Sequence, residues 1–308
     1  MKKVIVLLVM MLMVLTGCQK TEEYVSVADN TIAGRSVFVD GGGVALIPDG
    51  KTLYSATFQN GTLTDFAEEA KLDSKVNAIA AYEDYVYISN DKGLERCKMD
   101  IYTEGTMTAE SEPLLDKKLD GQFEIYDDRL YFIINGELCC MPVDGGKVTE
   151  IVKAYDFEIT DIGIIYANDG ELRLMDDKED KKLAKIPKDA EIQLTFDKIY
   201  FVDGKKVKYY SVLTDKVKKA KTRKKIDNKI VWPYDHNFVY RSTEPAIRLV
   251  TDEGESASGD NEKFPNKVNG AIYSSWMVTQ SGGQIYVYDL QVSCVGIYNI
   301  KDMLEVEQ

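Results

Sequence analysis

Histidine occurs once in 308 residues, as His236. Ser-His-Asp hydrolysis uses an imidazole as its base, and no second histidine is present to supply it. His236 itself lies in Trp232-Pro233-Tyr234-Asp235-His236, at a turn position that sister segments fill with Asp84 and Asp128, so it reads as a turn-building residue. Cysteine is scarce as well, and Cys97, Cys139, Cys140 and Cys294 lack the paired spacing of a metal site. Neighbours on a strand point to opposite faces, so a Cys139–Cys140 bridge would strain the backbone. All four are expected as free, mostly buried thiols. Long apolar runs are confined to residues 4–15, too short to span a bilayer.

Basic residues are the minority charge, 38 against 51 acidic, for a formal net charge of −13. Such a surface repels nucleic acid at long range, and nucleic acid is not an expected partner. Lys2 and Lys3 precede the apolar run, and Leu15-Thr16-Gly17-Cys18 closes it with small residues. This is the layout of an export signal. The closing tetrad resembles the lipobox of bacterial lipoproteins. That resemblance implies removal of residues 1–17, a diacylglyceryl group on Cys18, and attachment to the outer face of a cell membrane, in a Gram-positive cell surface above all. Loss of Lys2 and Lys3 leaves 36 basic and 51 acidic residues, a formal charge of −15. Each acyl chain adds about 0.8 kcal/mol per buried methylene, and two or more chains make attachment persistent. Residues 18–33 are expected as the lipidated N-terminus and tether, and 34–308 as one domain.

The body of the chain repeats itself. Tyr82-Glu83-Asp84-Tyr85-Val86-Tyr87 returns as Tyr126-Asp127-Asp128-Arg129-Leu130-Tyr131, and in altered length as Phe196-Asp197-Lys198-Ile199-Tyr200 and Tyr234-Asp235-His236-Asn237-Phe238-Val239-Tyr240. Ile165-Tyr166 and Ile272-Tyr273 keep only its end. The anchoring tyrosines at 87, 131, 166, 200, 240 and 273 are spaced by 44, 35, 34, 40 and 33 residues, and a degenerate copy surrounds Val44 to Leu46. Turn sequences follow, among them Asn135-Gly136, Asn168-Asp169-Gly170 and Asp203-Gly204, whose residues tolerate the positive φ of tight hairpins. Helix-pair repeats need apolar spacing of three and four, whereas these runs are short, β-branched and aromatic. Each unit has room for four strands, the content of one propeller blade.

The chain is therefore expected to be all-β: a β-propeller of seven four-stranded blades near 34–75, 76–119, 120–156, 157–190, 191–229, 230–265 and 266–300, with six or eight as the other counts. Tyr24-Val25-Ser26-Val27 is a candidate closing strand. Ile199-Tyr200-Phe201-Val202-Asp203 and Val86-Tyr87-Ile88-Ser89-Asn90 make the unit similar to the YWTD blades of lipoprotein receptors, and closer still to their relatives in uncharacterised Gram-positive surface proteins. The resemblance implies a fold and a general interaction role.

Candidate site residues follow from loop length. Two turns on one face of the ring, Arg241 to Ala246 and Ser274 to Gln284, are read as long, and long loops on a rigid scaffold tend to carry binding residues. Tyr273, Trp276, Met277, Arg241 and Glu244 form the expected contact patch, with packing of Trp276 between blades as the competing reading. A basic stretch holding Lys218, Lys219, Lys221, Arg223, Lys224 and Lys225 is read either as a surface for anionic headgroups or wall polymers, or as a solvated edge strand blunted by lysines. Asp252, Glu253, Glu255, Asp260 and Glu262 lack the spacing of a calcium loop and read as solvated. No cofactor or metal is called for. The leading expectation is a lipid-anchored, non-catalytic module that takes a protein or glycan. The alternative is a carbohydrate-active enzyme with paired carboxylates at the ring mouth, drawn from acids such as Asp127-Asp128 and Asp176-Asp177.

Overall fold

A computed structural model describes residues 32–39, 43–99, 107–195, 197–234, 237–242, 246–251, 254–258, 271–273, 276–290 and 295–305. Twenty-nine strands are named among them, in seven sheets. Each sheet holds four antiparallel strands in sequence order, and one gains a fifth. Innermost strands are Phe38–Val39, Val76–Tyr82, Phe123–Tyr126, Asp156–Thr160, Ile192–Thr195, Ile226–Tyr234 and Ala271–Tyr273. This is a seven-bladed β-propeller; the expected divisions at 75/76, 119/120 and 190/191 fall between its sheets, whereas 156/157 and 229/230 cut the innermost strands Asp156–Thr160 and Ile226–Tyr234, which begin earlier than the repeated phrase suggests.

Local chemistry accounts for the hairpins. Asp127 and Asp128 both adopt positive φ (50° and 56°), where a short polar side chain is tolerated, and Tyr126 pairs with Arg129 across that turn. The second strands then carry the anchoring tyrosines into the seams between blades, where Tyr87, Tyr166 and Tyr240 are fully buried. Blade 7 departs from the expected register. Tyr273 ends its innermost strand and pairs with Trp276, as Tyr82 pairs with Tyr85, so it is the first tyrosine of the phrase and not the second.

Closure comes from packing between the first and last blades. Val37, Ala45, Ile47, Phe58 and Phe66 share one core with Val278, Ile285 and Val287, and Ile300 of the helix Ile300–Glu305 joins it. Gln280 donates to Asp49 at 2.8 Å across the same seam. The candidate closing strand at Tyr24 to Val27 lies outside the described residues. Instead Ile32–Ala33 pairs with the innermost strand of blade 3, Ile32 opposite Ile125 and Ala33 opposite Glu124. Arg35 then bridges to Ile79 on the innermost strand of blade 2, so the chain enters the domain along the ring axis.

Cys97, Cys139 and Cys140 are free and buried, as expected. Cys18 and Cys294 lie outside the described residues. No described helix is long and apolar enough to cross a membrane.

Candidate functional site at the ring mouth

The direction of the innermost strands defines two faces. Each of these strands runs from the connection between blades toward a tight turn such as Asp127-Asp128. On the first of these faces the blade connections open a cavity of about 580 Å3, lined by Arg35, Asn77, Lys118, Asp120, Gln122, Tyr155, Asp156, Glu191 and Gln193. Blades 2 to 5 contribute to it, and Arg35 reaches it from the axial entry strand.

Arg35 is the hub. Its guanidinium donates to Gln122 Oε1 in a short hydrogen bond and to Gln193 Oε1 at 3.4 Å, joining blades 3 and 5. Carboxylates surround it from the innermost strands. Glu124 accepts the backbone N–H of Ile159 at 3.0 Å, and Asp156 accepts that of Ile192 at 2.6 Å, so each ties its own blade to the next. Among the described residues, Glu124 Oε1 and Glu158 Oε1 are sealed from solvent without a hydrogen-bond partner. Burial pushes all three acids upward, Asp156 to about 7, while the cation of Arg35 opposes the rise. Glu158 is raised further by Glu124, because two buried carboxyls resist a shared negative charge.

At the rim, Lys118 pairs with Asp91 at 2.5 Å, and Asn77 donates to the same carboxylate at 3.2 Å. Asp120 accepts the Gly136 N–H at 2.9 Å. Tyr155 donates to the Pro187 carbonyl at 3.1 Å, and burial pushes its phenol up to about 12. The mouth is thus a rigid polar surface offering amide, hydroxyl and carboxyl groups. No group of three metal-ligating side chains occurs among the described residues.

Tyr273 and Trp276 pair at the end of the innermost strand of blade 7, on the face opposite the cavity, so the expected patch and the cavity are built from different residues. Ser274 to Gln284 is a strand, Trp276–Ser281, between two turns and not one long loop. Met277 is fully buried in the seam between blades 6 and 7, and Arg241 is buried within the strand Asn237–Ser242. Trp276 packs edge-on against Phe58, with ring centroids 6.4 Å apart, at the junction of blades 7 and 1. Tyr273 ends an innermost strand, while Glu244 and His236 lie outside the described residues. Of the described side chains, Met277 sits in the seam of blades 6 and 7, Trp276 at the junction of blades 7 and 1, and Arg241 in blade 6, none of them lining the cavity.

Lys218 and Lys219 lie on Lys216–Lys219, the outermost strand of blade 5, and Lys221, Arg223, Lys224 and Lys225 lead to blade 6. The acids expected in a solvated loop include one that is not solvated: the Glu255 side chain is 1 % exposed and pairs with Arg248 at 3.0 Å. Asp252, Glu253, Asp260 and Glu262 lie outside the described residues. Asp127, Asp128 and Asp176 build turns. Asp176 caps two backbone N–H groups, of Lys178 and Glu179, and Asp128 accepts the Tyr82 hydroxyl at 2.6 Å.

No protein-family model and no curated protein matches the sequence. Solved structures do. The computationally designed protein Ika8 aligns with a TM-score of 0.55 at 10 % identity, over 90 % of both chains. Hsv2p of Kluyveromyces lactis aligns with a TM-score of 0.55 at 9 % identity, over 86 % of this chain and 96 % of that one. The AfRom2 CNH domain gives 0.53 at 12 % identity, over 73 % and 84 %. The likeness is one of fold. At such identities the likeness extends to the ring alone.

Arg35, Gln122, Asp156, Glu191 and Gln193 escaped the sequence reading because they sit just before or within innermost strands, outside the repeated phrase. One signal was present: Asp156-Phe157-Glu158-Ile159 alternates acid with apolar residues, a pattern that puts carboxyls on one face of a buried strand.

Proposed function

We propose that this chain is a lipid-anchored, extracytoplasmic interaction module that holds a protein or glycan at the ring mouth without acting on it chemically. The polar lining built on Arg35 carries this reading. Amides, hydroxyls and carboxyls fixed on a rigid scaffold match the hydroxyl-rich surface of a glycan or the backbone of a protein loop.

The entry strand begins at the end of the ring axis away from the mouth: Ile32 lies level with Ile125, toward the Asp127-Asp128 turn, and Gly34 lies level with Phe123, next to Gln122 of the mouth. This is compatible with a lipid on Cys18 and a mouth that stays open to partners.

Two experiments test the halves of this proposal separately. Cys18→Ala should move the protein from the membrane fraction to the soluble one, and unchanged retention would contradict anchoring. Arg35→Ala should abolish partner capture on a glycan array or in crosslinking from intact cells; undiminished capture would exclude the mouth.

A second reading rests on Asp156, whose carboxyl is pushed up to about 7 at the edge of the mouth, the range of a general acid. It makes the protein a glycoside-cleaving enzyme. Release of reducing sugar from envelope polysaccharide by wild type, lost in Asp156→Asn, would favour it over the binding module.

A further inference from the structure

We propose that the cleft between blades 5 and 6 is a binding site for a phosphate ester, separate from the ring mouth. The cleft has a volume of about 220 Å3 and an aromatic floor formed by Tyr200, Tyr209 and Phe238, with Lys198, Lys219 and Lys221 among its lining. Tyr200 and Phe238 meet across the seam, rings tilted at 40° with centroids 4.5 Å apart, and both are buried. Lys198 lies 5.9 Å over the Tyr209 ring and only 19 % of its side chain is exposed.

Charge balance is what singles out this cleft. In a chain of net charge −13, Lys216, Lys218, Lys219 and Lys221 form no ion pair among the described residues. Lys218 stands opposite Tyr209, on the sheet face that carries Tyr200, whereas Lys219 stands opposite Lys208 on the other face of the sheet. Like charges placed opposite each other destabilise a sheet, and here only Lys208, paired with Asp203 at 2.6 Å, is neutralised from within. Asp197 lies 3.7 Å from Lys198.

Protection of a sheet edge does not require this excess. The outer strand of blade 1 is guarded by Asp65, Glu68 and Glu69, and on blade 4 Lys182 is paired with Glu171. An anion in the cleft would be drawn by Lys198 and Lys221, which line it, and by Lys218 on the same sheet face. Its class follows from the donors: ammonium groups are compact point charges suited to a tetrahedral oxyanion, and no arginine lines the cleft to offer the planar fork that selects carboxylates. The rings beneath would hold the organic part of the ester.

Calorimetric titration of the full chain with inorganic phosphate, glycerol 3-phosphate and succinate, alongside co-sedimentation with phosphatidylglycerol or phosphatidylcholine vesicles, tests the proposal. Lys198→Ala/Lys219→Ala/Lys221→Ala is compared with wild type and with Lys51→Ala/Lys71→Ala/Lys92→Ala. Saturable binding of the soluble phosphates, weakened at least tenfold only in the cleft variant, supports the site and identifies a small phosphate as its source. Binding confined to phosphatidylglycerol vesicles, lost in the same variant, supports it with a lipid headgroup as the source. Equal binding by wild type and cleft variant, succinate bound as tightly as phosphate, or no binding to any probe would overturn it. Wild-type binding should also weaken as salt rises from low to physiological strength, and a cleft variant that melts at the wild-type Tm shows that its lost binding is not a fold defect.

Discussion

Glu124 of blade 3 accepts the backbone N–H of Ile159 in blade 4 at 3.0 Å, a side chain of one innermost strand serving the main chain of the next. Asp156 repeats the contact one blade on, to Ile192 at 2.6 Å. Innermost strands in neighbouring blades are not hydrogen-bonded to each other as a ladder, so such side chains satisfy main-chain donors near the axis. The carboxyls are held there by geometry although burial opposes their charge.

Replacing Glu124 separates these two effects. Glu124→Gln keeps an acceptor for Ile159 and removes the conflict with Glu158, so its unfolding free energy should stay within about 1 kcal/mol of wild type. Glu124→Ala strands a buried N–H, and its cost should be about 2 kcal/mol or more. Urea unfolding of the two variants measures the difference.

The same acids set a pH dependence. Carboxyls raised in the folded state bind protons there at pH values where the unfolded chain has released them, so stability falls as pH rises. The window for Asp156 runs from its ordinary value near 4 up to about 7. Asp169, Asp176 and Glu171, held down by their partners, work in the opposite direction, losing stability as pH falls below the ordinary carboxylate range. Thermal melts should therefore give a higher Tm near pH 5.5 than near pH 8, and Asp156→Asn should flatten that slope.

Trp276 and Gly61 form the closing seam. Gly61 has a φ of 78°, and a Cβ there would lie 2.2 Å from the indole. Gly61→Ala should lower stability by about 2 kcal/mol through strain and collision combined. Trp276→Ala removes the indole packed against Phe58 and should cost about 3 kcal/mol. Denaturant midpoints of both variants, with an unchanged m-value, are the measurement.

Thiol chemistry checks the core. Cys97 is buried, and desolvation pushes its thiol up to about 11, which leaves little thiolate at neutral pH. In the native protein Cys97, Cys139 and Cys140 should resist iodoacetamide and become labelled only when denaturant opens the blades, as read by peptide mass spectrometry.

Much of the ring was legible because the repeated phrase encodes a turn. Aspartates before an aromatic or β-branched run specify a hairpin, and the hairpin fixes two of four strands in each blade that carries the phrase. Blade 7 shows where that signal failed. Tyr273-Ser274-Ser275-Trp276 has serines where Asp127-Asp128 stand, so its register slipped by half a hairpin and a strand passed for a loop. The mouth was hidden for another reason. Its residues come from connections and innermost strands of four blades, and only the radial arrangement brings Arg35 to Gln193, which lies 158 positions away. Lysines on an outer strand, by contrast, announce themselves as charge, but the rings beneath Lys198 appear only when blade 6 supplies Phe238.

The axial strand Ile32–Ala33 has a mechanical corollary. It lies antiparallel to Phe123–Tyr126 and is continued by Arg35 bridging to Ile79, so tension drawn through the preceding segment runs along these bonds and loads them together in shear. Unzipping would need a sideways pull. A pull applied at Ile32 along this axle would load the ring at its centre and spare its outer rim.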